Sequence, residues 1–162
     1  MHLLVVRHAE AAPARAGGRD ADRALTPDGE RRFARSAQGL ARITPPPTTL
    51  LTSPLLRARQ TAAIAASAWG GIVPVPEPAL ADGTVDTILA ALEAQPHDGM
   101  VVLIGHEPTV SALVAELVGA RASALSFGVG AAALLDVESL AHRTGRLVWF
   151  LPAATTERLG DG

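Results

Sequence analysis

Leu3-Leu4-Val5-Val6 and Met100-Val101-Val102-Leu103-Ile104 are unbroken apolar runs that stop abruptly, the first at Arg7-His8 and the second at Gly105-His106. Runs this short and without polar alternation need apolar surroundings on both faces. A strand finds them in a parallel sheet covered by helices on each side. This confines the chain to an α/β architecture, provided that helical segments separate the strands.

The intervening sequence supplies them. Thr26-Pro27-Asp28-Gly29-Glu30 reads as a helix start, with Thr26 as N-cap and Pro27 at the first helical position, and the helix is expected to run to about Arg42. After Pro45-Pro46-Pro47, Thr48 to Thr52 is strand-like. Ser53-Pro54 then reads as cap and first residue of a second helix reaching Ala68. A short strand near Ile72 to Val75, a third helix over Val85 to Ala94 and a fourth opened by Pro108 complete the alternation. Gly130 to Val137 and Leu147 to Leu151 read as a closing strand pair. The expected fold is a three-layer sandwich with a mainly parallel central sheet and helices on both faces.

The chain has 162 residues, 48% of them hydrophobic, enough for one core, so residues 1–152 are expected to form a single domain and 153–162 a frayed tail. Its 14 basic residues are all arginine and leave a net charge of -2, with no basic stripe for nucleic acid. Without cysteine there is no disulfide, thiolate ligand or Cys nucleophile. No signal peptide or membrane span is legible, which makes a cytoplasmic location the expectation.

In a parallel sheet ligands bind beyond the carboxyl ends of the strands. Arg7-His8, Ser53 to Arg59 and Gly105-His106 all fall there. Each histidine alone could be an edge residue paired with a carboxylate, and Arg59 a solvated helix residue. Two arginines, Arg7 and Arg57, converging with His8 and His106 would repel one another in an empty site, and a bound anion removes that conflict. Phosphate suits the paired donors of guanidinium groups and the positive ends of helices expected at Pro54 and Pro108. His106-Glu107 offers no second histidine at helical spacing, so neither a metal nor a cofactor is expected.

These residues resemble the histidine phosphatase superfamily. Arg7-His8-Ala9-Glu10 is similar to its Arg-His-Gly signature. Leu25-Thr26-Pro27-Asp28-Gly29, Ser53-Pro54-Leu55-Leu56-Arg57-Ala58-Arg59-Gln60-Thr61 and Gly105-His106-Glu107-Pro108 are similar to its later motifs, in order, over residues 1 to 151. The small size and the Gly-His-Glu-Pro form look most like the phosphohistidine phosphatase (SixA) group.

The resemblance implies a phosphoglycerate mutase-like fold and a phosphatase acting through a phosphohistidine intermediate on His8, with Arg7, Arg57 and His106 around the phosphoryl group. Asp82 is the candidate general acid, its alternative being an ordinary turn aspartate before Gly83; Glu77, between two prolines, is a lesser substitute. Ala9 departs from the signature glycine, so its methyl group could crowd the turn. The short segment from Asp82 to Met100 leaves no room for a long lid, which favours phosphohistidine on a protein substrate. The rivals are a phosphatase for small phosphate esters, such as nucleotide or sugar phosphates, and a non-catalytic phosphate-binding module. No nucleic-acid or membrane partner is expected.

Overall fold

The computed structural model describes residues 1–162. In chain order the elements are β1 (His2–Arg7), α1 (Pro27–Ile43), β2 (Thr49–Thr52), α2 (Leu56–Ala68), β3 (Val75–Pro76), α3 (Ala79–Asp82), α4 (Val85–Glu93), β4 (Met100–Gly105), α5 (Thr109–Val118), β5 (Ala132–Ser139), β6 (Thr144–Leu151) and α6 (Ala153–Gly160). The six strands form one sheet in the order β3-β2-β4-β1-β5-β6. Strands β1 to β4 run parallel, and β5 and β6 are antiparallel additions at one side. No helix is long and apolar enough to cross a membrane.

The central strands are buried on both faces, as the unbroken apolar runs require. Leu3 and Val5 join Val101 and Leu103 in one core, with Ile88 and Leu92 of α4 and Leu113 of α5. Leu4 and Val6 join Val102 and Ile104 in the other, with Phe33 and Leu40 of α1 and Ala58 and Ala62 of α2. Successive side chains of a strand point to opposite faces, so each run feeds both layers. The result is the three-layer α/β sandwich expected from the sequence, with a mainly parallel central sheet and a helix-covered core on each face.

Four local readings are corrected. Helix α2 begins at Leu56 rather than Pro54, because Leu55 is its extended N-cap and the Ser53 side chain is engaged elsewhere. Pro108, in a cis peptide with Glu107, is the N-cap of α5 rather than its first helical residue. The strand expected near Ile72 shrinks to the edge pair Val75–Pro76, since only Leu51 and Thr52 are there to pair with it. A short helix, α3, occupies the segment read as a turn, and Asp82 is its last residue.

The tail expected to fray is helix α6, packed along α1. Glu157 accepts hydrogen bonds from Arg32 and Arg35, and Arg42 donates to the Leu159 carbonyl. Two glycines permit the close approach: a Cβ on Gly39 would strike the carbonyl oxygen of Thr156, and one on Gly160 that of Arg35. Both clashes are against backbone, which can yield only by moving a helix. Gly160→Ala is therefore expected to cost about 1–3 kcal/mol, read as a lower denaturation midpoint. An unchanged midpoint would mean that α6 contributes nothing to the fold.

Candidate active site

The site lies at the carboxyl edge of three adjacent strands, β2, β4 and β1, which deliver Ser53, His106 and His8 side by side. Backbone bonds tie these ends together: His8 N–H donates to the Gly105 carbonyl at 3.0 Å, and Ser53 N–H to that of Ile104 at 3.0 Å. Gly130 N–H, in the loop before β5, closes over the Arg7 and His8 carbonyls. Ala9 has no positive φ, so its methyl group meets no backbone strain. It is buried among apolar residues, and its N–H donates to Thr61 Oγ1 at 3.1 Å.

The His8 and His106 rings stand 4.9 Å apart between centroids, tilted by 54°. His8 Nδ1 lies 2.7 Å from the Ala9 carbonyl oxygen, which can only accept. Nδ1 therefore carries the hydrogen and Nε2 the free lone pair. His106 Nε2 lies 2.8 Å from Ser53 Oγ, and Ser53 Oγ also accepts from Leu55 N–H at 3.3 Å. The serine hydroxyl accepts from Leu55 N–H and has its own proton to donate to His106 Nε2; in that tautomer His106 Nδ1 carries the ring hydrogen and is the donor left over.

Both imidazoles are held neutral. Burial, together with the charges of Arg57, Arg7 and Arg23, pushes His8 down to about 4, against an upward contribution from its bond to Ala9. Burial, His8, Arg57 and Arg7 push His106 down to about 3, with Asp20 opposing. Below pH 6.5 the unfolded chain takes up protons on these histidines that the fold refuses until about pH 4. Stability of the phosphate-free protein should thus fall as pH drops from 6.5 towards 4. A melting temperature that falls over this window, and falls less in His8→Ala, is the expected result; a flat profile would contradict it.

The two arginines are gripped from outside. Arg7 Nη1 donates to the Phe127 carbonyl at 2.6 Å; Phe127 N–H in turn donates to Glu107 Oε1 at 3.1 Å, and Ser111 Oγ donates to the same oxygen at 2.5 Å. Arg57, on the first turn of α2, donates from Nη1 to the Asp20 carbonyl at 2.8 Å and from Nη2 to Asp20 Oδ2 at 2.9 Å. In each case the Nε nitrogen is buried without a partner, and so is Nδ1 of His106. Partnerless buried polar groups are rare in folded proteins, because each forfeits its hydration. Here three of them come from the side chains around His8.

Of the residues singled out in the sequence, His8, His106, Arg57 and Arg7 are thus brought within mutual electrostatic reach. Asp82 is not brought into contact with them: it is exposed and forms no hydrogen bond or ion pair. Glu77 caps α3 through Oε1 to Ala79 N–H at 3.0 Å, while its own N–H bonds Thr52 O. Arg59 is exposed on α2. Sequence reading missed Ser53 as a histidine partner, Glu107 as the brace of the Phe127 loop, and Asp20 and Arg23 altogether. The cap-like Ser53-Pro54 pair disguised the first, and the last two sit in a segment with no periodic signal.

The sequence model of the histidine phosphatase superfamily (branch 1) matches residues 3–86. The chain belongs to the histidine phosphatase superfamily. It is 41% identical over 132 residues, covering 79% of this chain and 74% of the other, to an uncharacterised protein of Picosynechococcus sp. strain PCC 7002. The structure of the protein histidine phosphatase SixA complexed with tungstate superposes with a TM-score of 0.85 at 28% identity, covering 96% of this chain and 99% of that one. A mycobacterial glucosyl-3-phosphoglycerate phosphatase, 17% identical, shares the fold with a TM-score of 0.71 over 93% of this chain and 98% of its own. Family membership and the SixA-like fold make this chain a histidine phosphatase-type enzyme.

Proposed function

We propose that the enzyme removes phosphoryl groups from phosphohistidine on a protein, through a phosphohistidine intermediate on its own His8. The observation that carries this reading is the set of three buried, partnerless nitrogens, Arg7 Nε, Arg57 Nε and His106 Nδ1, around an imidazole whose Nε2 is free to attack. A phosphoryl group satisfies all three donors at once and neutralises the arginine charge.

His8 Nε2 attacks phosphorus in line, forming a P–N bond as the bond to the substrate imidazole breaks. The departing imidazole nitrogen takes up a proton from solvent. Water then attacks the phosphorus of phospho-His8, releasing phosphate and returning His8 to its neutral state. Charge spreads over the equatorial oxygens during both steps, where the arginines and His106 stabilise it. Location of the activity in the cytoplasm goes with this reading.

Two features favour phosphohistidine over an ester. An imidazole leaves more readily than an alkoxide, so the transfer depends little on a strong general acid; Asp82, exposed and unpartnered, suits that demand. The segment after Asp82 is committed to the core through Ile88, Leu89 and Leu92 of α4, so it supplies no lid to enclose a small metabolite. SixA is a protein histidine phosphatase and superposes along nearly the whole chain.

Rates of phosphate release from a phosphohistidine-bearing carrier protein and from a panel of nucleotide, sugar and other small phosphate esters test the substrate class. Faster release from the carrier, with Asp82→Ala retaining most of that activity, is expected. Preference for an ester, or loss of most carrier activity in Asp82→Ala, would overturn the protein-phosphohistidine assignment.

A further inference from the structure

Asp20 has no task in the transfer just described, yet it occupies the outer end of Arg57. A guanidinium presents five N–H groups in one plane, grouped as an end-on pair from Nη1 and Nη2 and a side-on pair from Nε and the remaining Nη2 hydrogen. The Asp20 carbonyl and Oδ2 take the end-on pair at 2.8 and 2.9 Å. The side-on edge is the one whose Nε is buried and unpartnered. The other oxygen, Oδ1, accepts from Arg23 Nη1 at 3.0 Å, and Arg23 Nε is anchored on the Ala12 carbonyl at 2.8 Å. Asp20 thus joins a residue of α2 to the loop that follows β1. Arg57 is only 7% exposed, and Asp20 is its acidic ion-pair partner.

Resting on the phosphatase reading above, we propose that Asp20 is a positioning residue: by holding the end-on edge of Arg57 it keeps the Nε/Nη2 edge turned to the phosphoryl group. The carboxylate and the phosphoryl group bind opposite edges of one guanidinium and do not compete. A carboxylate that merely plugged an empty phosphate site would have to be expelled by substrate, and the two arrangements predict opposite signs for its removal. Loss of the Asp20 side chain leaves the guanidinium on the Asp20 carbonyl alone, so it can turn about that single bond towards solvent, since a nearly buried cation without its charged partner is poorly solvated where it stands.

The test is calorimetric titration with inorganic phosphate, together with kcat and KM, on the intact protein and on Asp20→Asn, Asp20→Ala, Arg57→Ala and the double variant Asp20→Ala/Arg57→Ala. Asp20→Ala is expected to weaken phosphate binding and raise KM together, by roughly five- to tenfold, within the range of one ordinary net hydrogen bond, since the effect reaches phosphate only through Arg57. Asp20→Asn, which still offers Arg57 an oxygen, should restore most of the binding. The double variant should bind phosphate no worse than Arg57→Ala. Because the Asp20 side chain is 62% exposed, the alanine variant should fold, and its melting curve verifies that. Unchanged or tighter phosphate binding in Asp20→Ala, or additive losses in the double variant, would overturn the positioning role while leaving the site reading intact if Arg57→Ala still binds weakly. Undiminished phosphate binding in Arg57→Ala would overturn both.

Discussion

Replacing His8 with alanine is expected to lower turnover on the order of ten-thousand-fold or more, to the rate left by binding alone, because the covalent route disappears with the nucleophile. The fold should survive. Gly105 and Gly130 bond the backbone of residue 8, not its ring, and the imidazole's hydrogen bond is to the neighbouring Ala9 carbonyl. Phosphate binding should survive as well, since its donors come from Arg7, Arg57 and His106. The pattern of retained binding and lost turnover, measured on one preparation, separates a missing nucleophile from a misfolded site. Comparable loss of phosphate affinity in His8→Ala would instead make His8 a binding residue.

The second large effect is expected at Arg57. Arg57→Ala should reduce kcat/KM by about 100- to 1,000-fold, the scale of removing one preorganised donor from developing transition-state charge. Arg57→Lys should recover little, because a lysine ammonium cannot hold the Asp20 carbonyl and carboxylate and still present a parallel pair of N–H groups to a phosphoryl group. Steady-state kinetics on the three proteins measures both. Recovery to near the parental rate in Arg57→Lys would show that only charge matters at this position, and would contradict the edge-by-edge use of the guanidinium.

What the sequence made legible follows from where each signal originates. Burial of both faces of β1 and β4 is written in consecutive residues, Leu3 to Val6 and Met100 to Ile104, so the layers and the sheet edge could be anticipated. His8, His106, Arg7 and Arg57 sit at or just beyond strand ends, and the parallel topology alone brings such positions together. Helix α6 had no comparable signature: its stability comes from the glycine crossing with α1 and from Glu157 against Arg32 and Arg35, contacts spanning more than 100 residues of chain. Ser53 carries a local signal, but the wrong one, since a serine before proline looks like a helix cap until β4 lays His106 beside it. Asp20 lies 37 residues from Arg57 in sequence, in a loop where composition gives no orientation. Asp82 was named from the resemblance, and its exposed place at the end of α3 depended on a short helix that four residues could not announce.

The central claim, a phosphoryl group carried on His8, is tested most directly by rapid acid-free quenching of the enzyme with a radiolabelled phosphohistidine carrier, followed by peptide mapping of the label. The account predicts an acid-labile, base-stable label on the peptide containing His8, formed before phosphate is released and absent from His8→Ala. Turnover with label on another residue, or with no label on the enzyme at any time, would contradict it.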